Sequence, residues 1–368
     1  MNANQLFVLI FLFEAGSSIV IGVGFDAKQD AWLAILLALL GGIILFTVYR
    51  FLFQQYPNHL FTEYLEEILG KTVGKVVAIV YILYFFYIAG RVLRDFGDLL
   101  ITTALDQTPL IVVNLIIVLL VLYSYYLGIE VIARAGNIFF IILIILAFLF
   151  FLLVFIDQLP KAENLQPVLE KGWGPVFKTA FPLTLTFPFG EIIVFTMIFP
   201  FLNRKEKLFK IGVAALTFSG ILLMLTVTLI LSVLGPTLSS ESTFPLLDTI
   251  AKVNIADIIQ RLDPIALTIL IIGIYFKITI FYFGGMYGLE KLFQIKKNKR
   301  KYYLLITGGA LLAVSIIMAE GLTQHLQIGL KIVPSYVHLP LQVYIPLILI
   351  VINAVKNKLN KHKSSLQQ

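Results

Sequence analysis

Two stretches of the sequence decide the fold: FEAGSSIVIGVG at residues 13–24 and AFPLTLTFPFGEIIVF at residues 180–195. Each lies in an apolar run long enough to cross a bilayer. Gly and Ser interrupt the first run, whereas Pro and Gly interrupt the second. A broken helix leaves backbone amide and carbonyl groups without partners, and a membrane protein tolerates this only inside the protein or around a cavity.

The positions of these breaks predict a transporter fold. The first stretch belongs to the first of ten apolar spans and the second stretch to the sixth. Close helix packing and Pro kinks are the ordinary explanation of any single break. Two broken helices that open two five-helix halves, however, are typical of an inverted-repeat transporter with its ligand site near the bilayer midplane.

The composition places the whole chain in a membrane. Of its 368 residues, 59% are hydrophobic and 13% are charged, whereas soluble domains have about 25% charged residues. The net charge of +7 lies mostly in short loops between apolar runs, where it indicates orientation and not nucleic-acid binding. The chain has no cysteine, which excludes disulfides, thiolate metal sites and cysteine nucleophiles.

A hydropathy window of about 19 residues predicts an all-α integral membrane protein with about ten transmembrane helices. We expect a single transmembrane domain with a first repeat at 1–156, a second repeat at 179–355 and a cytoplasmic tail at 356–368. Residues 61–71 are predicted to form a helix on the membrane surface, because their apolar and acidic residues separate onto two helical faces. The predicted spans are 5–25, 32–53, 73–103, 108–127, 133–156, 179–202, 209–234, 264–289, 302–319 and 340–355.

The distribution of Lys and Arg predicts the orientation. With the N-terminus inside, eighteen of these residues fall on the cytoplasmic side and seven on the opposite side. Short cytoplasmic loops retain positive charge during insertion, so both termini are predicted to be cytoplasmic. The basic segment 296–301 could also bind anionic lipid or a partner, but topology is the simpler explanation.

Three ionisable residues lie inside predicted spans, where an unpaired charge is costly and indicates function. Glu14 and Glu191 flank the two breaks, and Lys277 lies in the middle of the eighth span. We expect the three to form a coupling or charge network. Two interpretations of Lys277 stay open: its ammonium replaces a coupling cation between the first and eighth spans, or it pairs with Glu14 or a carbonyl to lock the bundle.

The breaks suit a zwitterionic amino acid as ligand. The N-terminus of a half-helix favours a carboxylate, whereas unwound carbonyl groups favour an ammonium. Backbone amides in the first break are therefore predicted to bind the carboxylate, and carbonyls in the sixth span to bind the ammonium. The predicted ligand-binding residues are Gly16, Ser17, Ser18, Phe187, Pro188, Phe189 and Gly190.

Other polar residues are interpreted as structural. In the third span, the four-residue spacing predicts ion pairs of Arg91 with Asp95 and of Arg94 with Asp98. The four histidines are expected in loops or in the tail, without the spacing of a metal site. No metal, cofactor or catalytic constellation is predicted, so the chain is not expected to be an enzyme.

Four segments, in this order, resemble the endospore germination permease family, the B subunits of spore germinant receptors. They are QLFVLIFLFEAGSS (5–18), LGIEVIARAG (127–136), NLQPVLEKGWGPV (164–176) and PFGE (188–191). The resemblance covers essentially the whole chain. It implies a ten-helix transporter-like protein of the amino acid, polyamine and organocation superfamily. Such a protein senses a small nutrient, commonly an amino acid, in the spore inner membrane with receptor subunits A and C as partners.

Two classes of function therefore remain open. The first is a sensing subunit, in which the ligand stabilises one conformation and passes the change to partner subunits. The second is a permease that moves an amino acid coupled to protons. Both need the same pocket, so the sequence does not separate them.

Overall fold

The computed structural model describes residues 1–255 and 262–365. These residues form helices joined by loops, and the α-helices carry the fold. In chain order they are α1 (Ala3–Glu14), α2 (Gly16–Ile21), α3 (Ala31–Gln55), α4 (Phe61–Leu69), α5 (Lys71–Thr103), α6 (Leu110–Leu127), α7 (Ile129–Ile156), α8 (Trp173–Thr179), α9 (Leu208–Glu241), α10 (Pro245–Ile250), α11 (Asp263–Leu292), α12 (Arg300–Ile317), α13 (Leu322–Gln327) and α14 (Ile345–Ser365).

Shorter and irregular helical segments connect these helices. Segments with π-helical turns are Ala180–Thr184, Ile328–Ile332 and Pro334–Tyr344, and 3₁₀ segments are Phe25–Asp30, Ala162–Leu165, Phe189–Met197, Phe199–Phe201, Lys205–Lys207 and Lys297–Lys299.

The prediction of an all-α membrane protein is confirmed. Among the described residues, nine helices are long and apolar enough to cross a membrane, and they correspond to the second to tenth predicted spans. The first span is the shorter apolar stretch Ala3–Ile19. The tenth span begins at Pro334, six residues before the prediction, because Pro340 lies inside a π-helical segment and does not end the helix there.

The first span lies in the centre of the bundle. Residues 8 to 14 of α1 are all buried, and α1 packs against α7, α9 and α11. A helix that is apolar all round can face lipid or protein, and residues 8 to 14 of α1 face protein. Helix α11, the eighth span, is equally central and packs against α1, α2, α5 and α7. The first break therefore faces protein and not lipid.

The predicted surface helix exists as α4, with its apolar side against the bundle. Tyr64, Leu65 and Ile68 are buried, while Glu67 is exposed. The helix packs along α5. Burial of one face and exposure of the acidic face follow the sequence pattern.

Several connections predicted to be cytoplasmic meet on one side of the bundle. Lys205, after the sixth span, donates hydrogen bonds to the Pro57 carbonyl at 2.6 Å and to Asn58 Oδ1 at 2.8 Å, both after the second span. Lys356, near the end of the tenth span, contacts the Glu67 carbonyl. The alternation of connections between two sides agrees with the predicted order of spans. That this side is the cytoplasm stays a prediction.

Candidate functional site

The first span is interrupted at Ala15, between α1 and α2. The Ser18 hydroxyl donates a hydrogen bond to the Glu14 carbonyl at 2.6 Å. Helix α2 then ends at Gly22, which has a φ of +70°, a backbone conformation that glycine adopts without strain. The predicted break in the first span is therefore confirmed, with a second interruption about two turns later.

Gly16 brings the first span into backbone contact with the eighth span. A Cβ atom on Gly16 would lie 2.9 Å from Lys277 Cδ and 3.1 Å from the Gly273 carbonyl oxygen. Ser17 and Ser18 beside it are fully buried, and Ser17 Oγ has no hydrogen-bond partner in the described part of the chain. Gly16 thus permits close packing against α11. That the amides of residues 16–18 bind a carboxylate stays a prediction.

The sixth span is broken by a π-helical segment followed by a 3₁₀ helix. Phe181 is extended, with φ −129° and ψ 130°, before Pro182. Thr184 Oγ1 donates to the Thr179 carbonyl at 2.8 Å, and Thr186 Oγ1 donates to the Pro182 carbonyl at 2.9 Å. Threonine hydroxyls can re-satisfy carbonyls beside prolines in membrane helices. The predicted break in the sixth span is confirmed.

The 3₁₀ helix after the break points Glu191 towards the eighth span. Lys277 Nζ lies 2.5 Å from Glu191 Oε2, and the two side chains are 0% and 2% exposed. The rings of Phe13 and Phe187 flank the ammonium, with centroids 5.0 and 4.6 Å from Nζ. A cation over an aromatic face gains further electrostatic stabilisation when it is desolvated. One ion pair therefore joins the sixth and eighth spans.

Glu14 has no such partner. It is buried, and among the described residues neither of its carboxylate oxygens has a hydrogen-bond partner. The sequence offered Glu14 as the structural partner of Lys277, whereas the structure pairs Lys277 with Glu191. Both carboxylates flank breaks beside α11, so their sequence positions could not distinguish them.

The tenth span adds polar side chains that the sequence interpretation missed. His338 Nδ1 lies 2.8 Å from Tyr84 OH, and Gln342 Nε2 donates to the same hydroxyl at 2.7 Å. His338 Nε2 is 4.0 Å from Glu191 Oε1. The expectation that His338 lies in a loop is wrong, because the tenth span begins before Pro340. The four-residue spacing of His338 and Gln342 was the available signal for a polar helical face.

Gly190 allows the sixth and tenth spans to touch. A Cβ atom on Gly190 would collide with Gln342 Oε1. The hydroxyl of Tyr49 donates to the Gln342 carbonyl at 2.6 Å and lies 3.4 Å from the Gly190 carbonyl. The ammonium-binding role predicted for the carbonyls at Phe187, Pro188, Phe189 and Gly190 stays a prediction. Of these carbonyls, that of Gly190 already faces the Tyr49 hydroxyl.

The charges of the third span pair differently from the prediction. Arg94 Nε donates to Asp98 Oδ2 at 2.8 Å, as expected. Asp95 Oδ1, in contrast, lies 2.8 Å from Nε2 of His325 in α13. Arg91 Nη2 donates to the His325 carbonyl at 2.8 Å. The predicted Arg91–Asp95 pair is wrong, because i,i+4 spacing permits an ion pair but a residue from another segment can compete for the carboxylate.

A small internal chamber lies between these groups. Its volume is about 30 Å³, room for about two water molecules. It is lined by side chains from five segments, the first, third, sixth and tenth spans and the segment before the tenth. They include Ile21, Arg91, Asp95, Phe187, Glu191 and His338. Of the seven predicted ligand-binding residues, Phe187 is the one that lines it.

A larger cavity of about 230 Å³ lies next to the chamber. It is lined by residues of the connections after the first and seventh spans, on the side opposite the basic connections. Ile21, Leu326 and Leu330 line both spaces. The outer cavity and the chamber are therefore adjacent and share these three apolar side chains. Within residues 1–255 and 262–365, no group of three or more His, Cys, Asp or Glu is placed to hold a metal ion.

Sequence comparison identifies a family. The profile of the spore permeases, described as "Spore germination protein", matches residues 1–322. Spore germination protein KB of Bacillus subtilis (strain 168) is 39% identical over 363 residues, covering 99% of this chain and 96% of KB. Spore germination protein XB of Bacillus anthracis is 22% identical over 286 residues, 75% of each chain.

Structure comparison identifies the fold. Mhp1, a nucleobase-cation-symport-1 family transporter solved in a closed conformation with bromovinylhydantoin bound, matches with a TM-score of 0.62 at 14% sequence identity. The match covers 89% of this chain and 74% of Mhp1. The chain therefore has a transporter fold, and neither the family nor the fold is that of an enzyme.

The Glu191–Lys277 ion pair leads to a prediction about stability. Lys277→Met should destabilise the protein by about 3–5 kcal/mol, because it leaves a buried carboxylate without its partner. Adding Glu191→Gln should recover most of that loss, whereas adding Glu14→Gln should not. Thermal unfolding of the purified variants in lipid nanodiscs measures the three effects. Equal recovery by the two double variants would contradict the pairing.

Proposed function

Because the chain belongs to the spore germination permease family, we propose that it is the membrane subunit of a germinant receptor that binds a small nutrient, an amino acid, between its two broken spans. One observation carries the proposal: Ile21, at the end of the broken first span, and Phe187 and Glu191, at the break of the sixth, line the same internal chamber. Ligand sites of transporters with broken helices lie between the breaks.

The chamber has the charged and apolar groups that an amino acid needs, but its volume of about 30 Å³ holds only about two water molecules, so ligand binding must widen it. Glu191 offers a carboxylate to the ligand ammonium, and Phe187 and Ile21 offer apolar contact to its side chain. The Lys277 ammonium lies against the Glu191 carboxylate in the structure. An incoming ammonium would take over that carboxylate, since both groups need the same oxygen acceptor.

Glu14 completes the proposed coupling network. Its two oxygens have no hydrogen-bond partner in the described part of the chain, and the ring of the preceding residue, Phe13, lies 5.0 Å from Lys277 Nζ. When the ligand occupies Glu191, Lys277 would turn to Glu14 and keep a carboxylate partner. Gly16 contacts the Lys277 side chain, so this exchange would move the first span against the eighth. The amides of Gly16, Ser17 and Ser18 would reach the ligand carboxylate only after this movement, because none of these three residues lines the chamber.

The proposed receptor contains the A and C subunits as partners and lies in the spore inner membrane with both termini of this chain in the cytoplasm. Family membership and the positive charge of one set of connections support this arrangement. We expect the A and C subunits to co-purify with the tagged full chain from spore membranes. Their absence from a purified, folded preparation would count against the assembly.

A proton-coupled amino-acid permease is the second candidate. Two buried carboxylates, Glu14 and Glu191, beside breaks of a transporter fold favour it, because intramembrane carboxylates commonly carry protons in transporters. The same chamber would serve as its substrate site. What distinguishes the two candidates is whether a bound amino acid crosses the membrane.

Ligand binding can be tested at Phe187. We would screen the twenty protein amino acids for stabilisation of the full chain in nanodiscs. For the most stabilising amino acid, Phe187→Ala should weaken binding roughly tenfold, because it removes aromatic contact from the chamber. Phe177→Ala is the matched control, since Phe177 is exposed and lies outside the chamber. Unchanged affinity in Phe187→Ala, or stabilisation by none of the twenty, would contradict amino-acid binding at this site.

Uptake separates sensing from transport. We expect the chain reconstituted in liposomes to bind that amino acid without accumulating it inside. Uptake of the labelled amino acid would be measured with and without an inward proton gradient. Accumulation that depends on the gradient and is lost in Glu191→Gln would instead establish the permease.

A further inference from the structure

We infer that Arg91 is a ligand-binding residue of the chamber and that it binds the carboxylate of the nutrient. The inference rests on the proposed function, because it identifies which part of the ligand a particular side chain recognises. It assigns the carboxylate to a side chain of the third span, which the sequence interpretation had treated as structural.

The first step concerns the partners of the buried basic side chains. Lys277 lies against Glu191, Arg94 against Asp98, and His325 against Asp95. Arg91 is only 8% exposed, yet no carboxylate oxygen of the part of the chain described here lies within 4.0 Å of its nitrogens. An intramembrane arginine without a carboxylate partner is costly. A ligand anion would remove that cost.

The second step concerns the hydrogen-bond donors of Arg91. A guanidinium has five N–H donors in a planar fork. In the described structure one of its nitrogens donates to the His325 carbonyl, and the Tyr87 ring centroid lies 6.0 Å from its Cζ atom. Donors remain for a ligand, and the residue lines the chamber. The fork matches a carboxylate in a two-point contact, which an amide or a hydroxyl cannot reproduce with equal strength.

The third step concerns the composition of the chamber walls. Arg91 supplies a cation and Glu191 an anion, and the apolar walls include Ile88, Val92 and Phe187. Asp95 also lines the chamber, but its carboxylate lies 2.8 Å from His325 Nε2. A zwitterion can satisfy both charges at once, its carboxylate at Arg91 and its ammonium at Glu191. An uncharged nutrient would leave Arg91 without a carboxylate partner, while Glu191 would keep Lys277. The chamber therefore selects α-amino acids over their amides and over neutral sugars.

The fourth step connects Arg91 to the wall of the outer cavity. Its bond to the His325 carbonyl ties α13 to the third span, and a Cβ atom on Gly329 would collide with Arg91 Nη2. Leu326 and Leu330, beside His325 and Gly329 in sequence, line both the chamber and the outer cavity. A carboxylate is a stronger acceptor than a neutral carbonyl. A ligand carboxylate bound to the remaining donors of Arg91 would therefore compete with the His325 carbonyl for this side chain and weaken the tie between α13 and the third span.

The inference is tested with the full chain in nanodiscs. Binding of the most stabilising of the twenty amino acids is compared with binding of its carboxamide and of an uncharged hexose. Arg91→Gln should weaken binding of the amino acid roughly 10- to 100-fold and abolish the preference for the acid over the amide. Arg91→Lys should retain part of that preference, because it keeps the charge but not the fork. Arg134→Gln, an exposed residue at the start of α7, is the control.

The outcomes separate this inference from the proposed function. If the Arg91→Gln variant folds, binds the amino acid as tightly as the parent and still prefers the acid, the role of Arg91 is overturned. Amino-acid binding at this site then still stands. Tighter binding of the hexose than of any amino acid overturns both the carboxylate assignment and the amino-acid ligand. If Arg91→Gln fails to fold, the acid-over-amide preference of Arg91→Lys decides: a preference equal to that of the parent overturns the two-point contact, and a reduced preference supports it.

Discussion

The packing of the helices around the polar interior depends on one buried charge that must have a partner of opposite charge. The Lys277 ammonium is fully buried in the middle of α11, and the only charged group against it in the described structure is Glu191 at 2.5 Å. In a medium of low dielectric constant, separating this pair would leave two desolvated charges, which is far more costly than the same separation in water. The sixth span must therefore present Glu191 to the eighth, and the irregular backbone at residues 180–197 makes this possible.

Small residues let the broken spans approach that ion pair. Gly16 and Gly273 permit backbone contact between the first and eighth spans, and Gly190 permits contact with Gln342 of the tenth. Side chains at these positions would hold the helices apart. The breaks themselves are stabilised locally, by Ser18 in the first span and by Thr184 in the sixth. Close approach and local hydrogen bonding together allow an irregular polar interior inside an otherwise apolar bundle.

The buried polar groups extend from the third span to the breaks in the first and sixth spans. The pairs Arg94–Asp98 and Asp95–His325 involve the third span, and the pair Glu191–Lys277 lies beside the breaks. Arg91 and Glu14 differ from these groups because neither has an opposite charge in contact within the described residues. Moving a buried charge costs less where another partner is available. Such an exchange of partners is compatible with both proposed functions, sensing and transport.

The sequence by itself determined the properties that are local along the chain. Hydropathy alone predicts ten spans, because each apolar run must satisfy its own backbone hydrogen bonds in lipid. Gly16 and Pro182 mark the breaks, because the effect of glycine or proline on a helix is intrinsic to the residue. Tertiary structure decided the partners. Lys277 pairs with Glu191 instead of Glu14, Asp95 with His325 instead of Arg91. These choices depend on distances between helices of a few ångströms, and the spacing of residues along one chain contains no such information.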